Sequence, residues 1–104
     1  MSLKEQVWTL CQEIPSGRVT TYQELASALG CRSYRAIGQA LRCNPSAPQV
    51  PCHRVIKSNG DIGGYKGESS GYQVTQKMQL LQQEGVSIIA GKVNLDQHFF
   101  RLKA

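Results

Sequence analysis

The stretch VPCHRV, residues 50–55, sets a cysteine beside a histidine, with a proline before the pair and an arginine after it. Three chemistries fit Cys52: a nucleophile, a metal ligand, or a small apolar residue buried in a strand, a common fate of free cysteine. A nucleophile works as the thiolate, so it needs a neighbouring base or positive field to lower its pKa, and His53 and Arg54 both offer this. Adjacent side chains in extended backbone point to opposite faces, so His53 is expected to reach Cys52 through a bridging water. Its other ring nitrogen then needs a third group to orient it. Glu84, near the end of the penultimate helix, is the candidate, with an ordinary surface glutamate as the alternative. As a ligand set, Cys31, Cys43, Cys52 and His53 lack the paired C-x₂₋₄-C and H-x₃₋₅-H spacings of structural zinc sites, and no metal is expected.

The elements that must position these groups come from a chain of 104 residues, the size of one domain with a single core. Twelve Lys and Arg against seven Asp and Glu give a net charge of +5, which favours a polyanionic partner, nucleic acid or an anionic membrane surface, over an acidic one. No apolar run is long enough to span a bilayer and no targeting segment opens the chain. An intracellular protein with its four cysteines as reduced thiols is therefore expected.

Ser2 and Glu5 form a capping box for a first helix whose apolar stripe is Leu3, Val7, Leu10, Cys11 and Ile14, with Trp8 packing and Pro15-Ser16-Gly17 as the stop. Thr21 and Glu24 repeat the box for a second helix, where Leu25, Ala26 and Leu29 are buried and Gly30 caps the end. A short turn leads to a third helix, YRAIGQALRC, closed by Asn44-Pro45, which makes a helix-turn-helix in which Ala26 and Gly30 permit a close crossing. On the third helix Ile37, Leu41 and Tyr34 fall to one side and Arg35, Gln39 and Arg42 to the other. Two arginines and a glutamine suit phosphates and base edges, and an ordinary solvated face is the alternative. Ala36 and Gly38 let the backbone approach a groove wall. Prolines 45, 48 and 51 extend the following segment, Asn59-Gly60 signals a hairpin, and a further helix turns Val74, Met78 and Leu81 inward before Gly85. The tail reads as strand, turn and terminal helix, with Phe99 and Leu102 covering the core.

Together VPCHRVI, RAIGQALRCNP, TTYQELA, GGYKG and LLQQEG closely resemble the active-site domain of the O6-alkylguanine-DNA alkyltransferases, from about Val7 to Gly85. The resemblance implies a mainly α, winged-helix-like domain, 1–104, with a helix-turn-helix and a short β-hairpin after the active-site cysteine. It implies a monomer that acts on double-stranded DNA in the cytoplasm, or in the nucleus of a eukaryote, with no cofactor and no membrane. The helix-turn-helix would enter the minor groove, and O6-alkylguanine would be flipped into a pocket where the thiolate takes the alkyl group irreversibly. Cys52 matches the acceptor, His53 the water-mediated base, Glu84 its orienting carboxylate, and Asn44 the brace between recognition helix and active-site segment. Tyr22 matches the tyrosine that crowds the backbone phosphate and would protonate the leaving guanine. Arg35 matches the arginine that fills the gap of the flipped base. Gln23, Tyr34, Ala36, Gly38, Gln39 and Arg42 fall on the DNA face. The carbonyls of Cys52 and Val55 would accept from the guanine's exocyclic amine, Tyr65 would line the alkyl pocket, and the Lys66 N–H would reach the guanine oxygen.

The chain also departs from the family pattern. The resemblance starts at the DNA-binding domain, and the family's usual N-terminal domain is expected to be absent; Tyr34 stands where a small residue is usual and is expected to face inward or to the edge; and Lys66 replaces a serine seen in some members. A related class, the alkyltransferase-like proteins, binds such lesions without transfer and carries another residue, often tryptophan, in place of the cysteine, so the thiol favours transfer. A helix-turn-helix transcription factor would need a dimerisation element, and nothing in the chain resembles one.

Overall fold

Residues 2–46, 49–63 and 71–102 are described by the computed structural model. Helix α1 (Leu3–Cys11) begins with the expected reciprocal box: Ser2 Oγ accepts from Glu5 N–H at 3.2 Å and Glu5 Oε1 from Ser2 N–H at 3.1 Å. It ends one turn before Pro15, and Ile14 is buried from the turn beyond the helix. Trp8 donates its indole N–H to the Ala40 carbonyl at 2.7 Å, which ties α1 to the third helix.

Helices α2 (Tyr22–Leu29) and α3 (Tyr34–Arg42) form the helix-turn-helix, capped by Thr21 and Ser33. The second box is only half made. Thr21 Oγ1 caps the Glu24 N–H, while the Glu24 carboxylate accepts from the Leu102 N–H at 2.9 Å and so holds the C-terminal segment instead. Gly30 takes the left-handed conformation that ends α2, φ 63°, but a Cβ there would meet nothing within 4 Å, so its role is the cap and not a close helix crossing. Ile37, Ala40 and Leu41 form the buried side of α3. Tyr34 does not face inward: as the first residue of the helix it is 57% exposed.

Strand β1 (Thr20–Thr21) pairs in parallel with β2 (Val55–Ile56), Thr20 opposite Val55 and Thr21 opposite Ile56. Alternation across the pleat sends Val55 into the core built on α1, α2 and α3 and Ile56 into a second core with Val19, Ile62, Leu81, Val86 and Val93. The Asn59-Gly60 turn forms, with Lys57 N–H bonded to the Asp61 carbonyl at 2.9 Å, but its arms find other partners: β2 pairs with β1, and Asp61 bridges to Lys92. The hairpin proper follows helix α4 (Tyr72–Gln83) as β3 (Ile88–Ile89) and β4 (Lys92–Val93). Helix α5 (Leu95–His98) then leads Leu102 into the first core, where Phe100 packs with it rather than Phe99. No helix among the described residues is long and apolar enough to cross a membrane.

Candidate active site

Cys52, His53 and Arg54 form a single 3₁₀ turn and not the extended strand expected, because Pro51 offers its carbonyl to the Arg54 N–H at 3.0 Å and closes the turn. Three residues per turn still send successive side chains in different directions. His53 therefore points away from the thiol, toward α4, where its Nε2 lies 2.9 Å from Glu84 Oε2. His53 is 1% exposed, and its Nδ1 is buried with no hydrogen bond to a described protein group. Cys52 is 5% exposed in the core on α1–α3, and all four cysteines are free thiols.

Glu84 is the C-terminal cap residue of α4 and serves two partners. Arg54 grips its carboxylate in a bidentate fork, Nε to Oε1 at 2.9 Å and one terminal nitrogen to Oε2 at 2.7 Å, and donates its other terminal nitrogen to the Ile14 carbonyl at 2.7 Å. Arg54 thus orients the carboxylate, a role its sequence position beside the thiol did not suggest. Burial pushes the Glu84 carboxyl up, but the bonds from Arg54 and His53 outweigh it and hold the group below the ordinary value of 4.5. Burial likewise pushes the His53 imidazolium below 6.5, with Glu84 opposing, so the ring is neutral at pH 7 with Nε2–H donating to the carboxylate.

The thiol's surroundings also contain Tyr22 and Lys77. Tyr22 opens α2, and its hydroxyl is pushed up to about 12, by burial first and by Cys52 nearby second. Gly63, at φ +72°, lets the ring lie close: a Cβ there would come within 3.3 Å of Tyr22 Oη. Lys77 is 1% exposed on the stripe of α4 that Val74, Met78 and Leu81 share, and burial pushes its ammonium down to about 7. It donates to the Val55 carbonyl at 2.8 Å and to the Ile62 carbonyl. A lysine three residues after Val74 and four before Leu81, on the helix's apolar stripe, was the available signal for it. Both carbonyls expected to receive a guanine amine already have internal donors, Cys52 O from the Val55 N–H and Val55 O from Lys77; each oxygen retains a second acceptor site.

Asn44 bridges the end of α3 to the segment before the thiol: Nδ2 donates to the Val50 carbonyl at 2.7 Å and Oδ1 accepts from the Ser46 N–H at 3.0 Å. Arg35, Gln39 and Arg42 are exposed on one side of α3, with Tyr34 at its start; Gln23 is exposed on α2, and Ala36 and Gly38 are half-buried. Gly38 faces open space, since a Cβ there would meet nothing within 4 Å. Arg32, exposed in the turn before α3, extends the basic face. Tyr65 and Lys66 lie outside the described residues. Among those residues, no group of three or more His, Cys, Asp and Glu is placed to hold a metal ion.

Residues 2–86 match the DNA-binding domain of 6-O-methylguanine DNA methyltransferase. A methylated-DNA–protein-cysteine methyltransferase of Candida glabrata is 42% identical over 82% of the chain, and a bifunctional methyltransferase/endonuclease of Picrophilus torridus 37% identical over 96%. The chain spans 39% and 32% of those relatives' own lengths. Among solved structures, S. pombe Atl1 bound to DNA containing O6-carboxymethylguanine superposes with a TM-score of 0.83 at 30% identity, covering 95% of this chain and 94% of that one. Mycobacterium tuberculosis OGT in complex with DNA superposes at 0.65 and 34% identity, covering 81% of this chain and 50% of that one.

Proposed function

The chain belongs to the 6-O-methylguanine DNA methyltransferase family, and from that membership we propose that it binds duplex DNA and removes alkyl groups from the O6 position of guanine by direct transfer to Cys52. The observation that carries the reading is a thiol at position 52 on the same 3₁₀ turn as a neutral histidine locked to Glu84. The α3 face docks in the minor groove, Arg35 takes the place of the extruded base, and the lesion enters beside Tyr22 and Val55. His53 Nδ1, the nitrogen not engaged by Glu84, takes the thiol proton through a water. The thiolate attacks the alkyl carbon, a carbon–sulfur bond forms as the carbon–O6 bond breaks, and the guanine anion recovers a proton from Tyr22. The thioether is not reversed, so each monomer acts once, without a cofactor. The place of action is where the DNA is, the nucleoid-bearing cytoplasm or a nucleus.

Lesion binding without transfer is the second reading, favoured by one observation: Atl1, solved on DNA containing O6-carboxymethylguanine, superposes with a TM-score of 0.83, against 0.65 for OGT. The experiment is intact-mass measurement after incubation with a duplex bearing one O6-methylguanine, followed by peptide mapping. A gain of one methylene unit on the Cys52 peptide is expected. An unchanged mass alongside tight binding to the lesion duplex would replace transfer with recognition alone.

A further inference from the structure

In the parallel ladder of β1 and β2, Thr21 pairs with Ile56, so the next residues in register are Tyr22 and Lys57. The stem of Lys57 stands beside the tyrosine at the edge of the site: a Cβ on Gly63 would have Tyr22 Oη at 3.3 Å, Lys57 Cγ at 3.5 Å and Tyr22 Cε2 at 3.6 Å as its neighbours. The backbone of Lys57 is fixed on both sides, its N–H bonded to the Asp61 carbonyl at 2.9 Å and its carbonyl to the Gly60 N–H at 3.0 Å. The side chain is exposed and forms no ion pair with a described residue. Among the described residues no other positive charge is free at that edge. Arg54 is committed to Glu84 and Ile14, and Lys77 reaches the Val55 and Ile62 carbonyls from the interior.

Resting on the reading above, we infer that Lys57 selects for O6-alkyl groups that carry a carboxylate. A flipped guanine seated between Tyr22 and Cys52 directs its O6 substituent toward the thiol, and a substituent longer than methyl extends back to the edge that Lys57 and Gly63 form. There a carboxylate meets the ammonium of a lysine whose backbone is fixed, in a site the base itself has partly dried, where a charge-assisted hydrogen bond gains over its value in open water. A neutral group of equal size meets only the lysine's methylenes.

The test uses two duplexes that differ in one group, O6-carboxymethylguanine and its neutral isostere O6-carbamoylmethylguanine, with an undamaged duplex as reference. Affinities are measured on the full chain carrying Cys52→Ala, so that no transfer disturbs the equilibrium. A five- to tenfold preference for the carboxylate is expected, shrinking with added salt. Lys57→Gln should abolish the preference while leaving the affinity for the carbamoyl duplex in place, and Lys57→Arg should keep it. Equal affinity for the two lesions would overturn the inference. So would an equal loss on all three duplexes in Lys57→Gln, which would make Lys57 a phosphate contact. Failure to prefer either lesion over undamaged DNA would overturn the underlying reading and this inference with it.

Discussion

At the residue scale, the site is governed by how one carboxylate is shared. Glu84 accepts from both Arg54 and His53, so Glu84→Gln leaves the guanidinium without its counter-charge in a largely buried place. Losing charge-assisted bonds of this kind should cost about 2–3 kcal/mol in urea unfolding at pH 7, together with a slower transfer to Cys52. His53 carries the second prediction. Its folded pKa lies below 6.5, so between the two values the unfolded chain binds more protons and stability falls as pH drops through that window. Glu84 acts in the same direction lower down, since its folded value lies below 4.5 and its contribution is lost as pH falls through it. The His53 imidazole resonances should titrate with a midpoint below 6.5, and the transfer rate should stay level from pH 8 to about 6.5 and fall only in the acid range where His53 gains its proton. A midpoint above 6.5 would mean that the Glu84 bond, rather than burial, sets the ring's charge.

At the element scale, α4 is fastened to the active-site segment at two points, Glu84 at its end and Lys77 one face earlier. The lysine donates to carbonyls on both sides of the Asn59-Gly60 turn, Val55 before it and Ile62 after it. Lys77→Met keeps the apolar stem and strands those oxygens, so about 1–3 kcal/mol should be lost in urea unfolding, and amide exchange should quicken across 55–62 more than in α1. Capping residues and helical periodicity made α1, α2, α3 and α4 readable, and the carboxylate on LLQQEG was readable because an oriented histidine requires one. The fate of Arg54 and Lys77 was not, since a charge on a sequence carries no sign of which distant carbonyl will receive it. The 3₁₀ turn at Cys52 was hidden because one local bond, from the Arg54 N–H to the Pro51 carbonyl, closes it in a stretch that its prolines mark as extended. The crossed partners of the Asn59-Gly60 turn were hidden because they lie more than thirty positions away, Thr20 and Thr21 for β2 and Lys92 for Asp61.

At the scale of the whole molecule, the net charge of +5 is not spread evenly in its effect: Arg32, Arg35 and Arg42 share the exposed side of the helix-turn-helix. Their proposed roles differ, and salt separates them. A side chain that neutralises a phosphate releases a counterion and adds about 0.9 to the slope of log K against log salt, whereas one that fills the gap of a flipped base acts only where a base has left the stack. Arg42→Ala should therefore weaken binding to lesion and undamaged duplexes alike and flatten the slope by about 1. Arg35→Ala should leave the slope for undamaged DNA nearly unchanged and remove most of the preference for the lesion. Filter-binding or anisotropy titrations between 50 and 200 mM salt, about the range over which such slopes are well determined, measure both quantities on the same two duplexes. If the two substitutions flattened the slope equally and spared the lesion preference, Arg35 would be one more phosphate contact, and whatever holds the flipped base out of the stack would have to come from Tyr22 and the pocket rather than from α3.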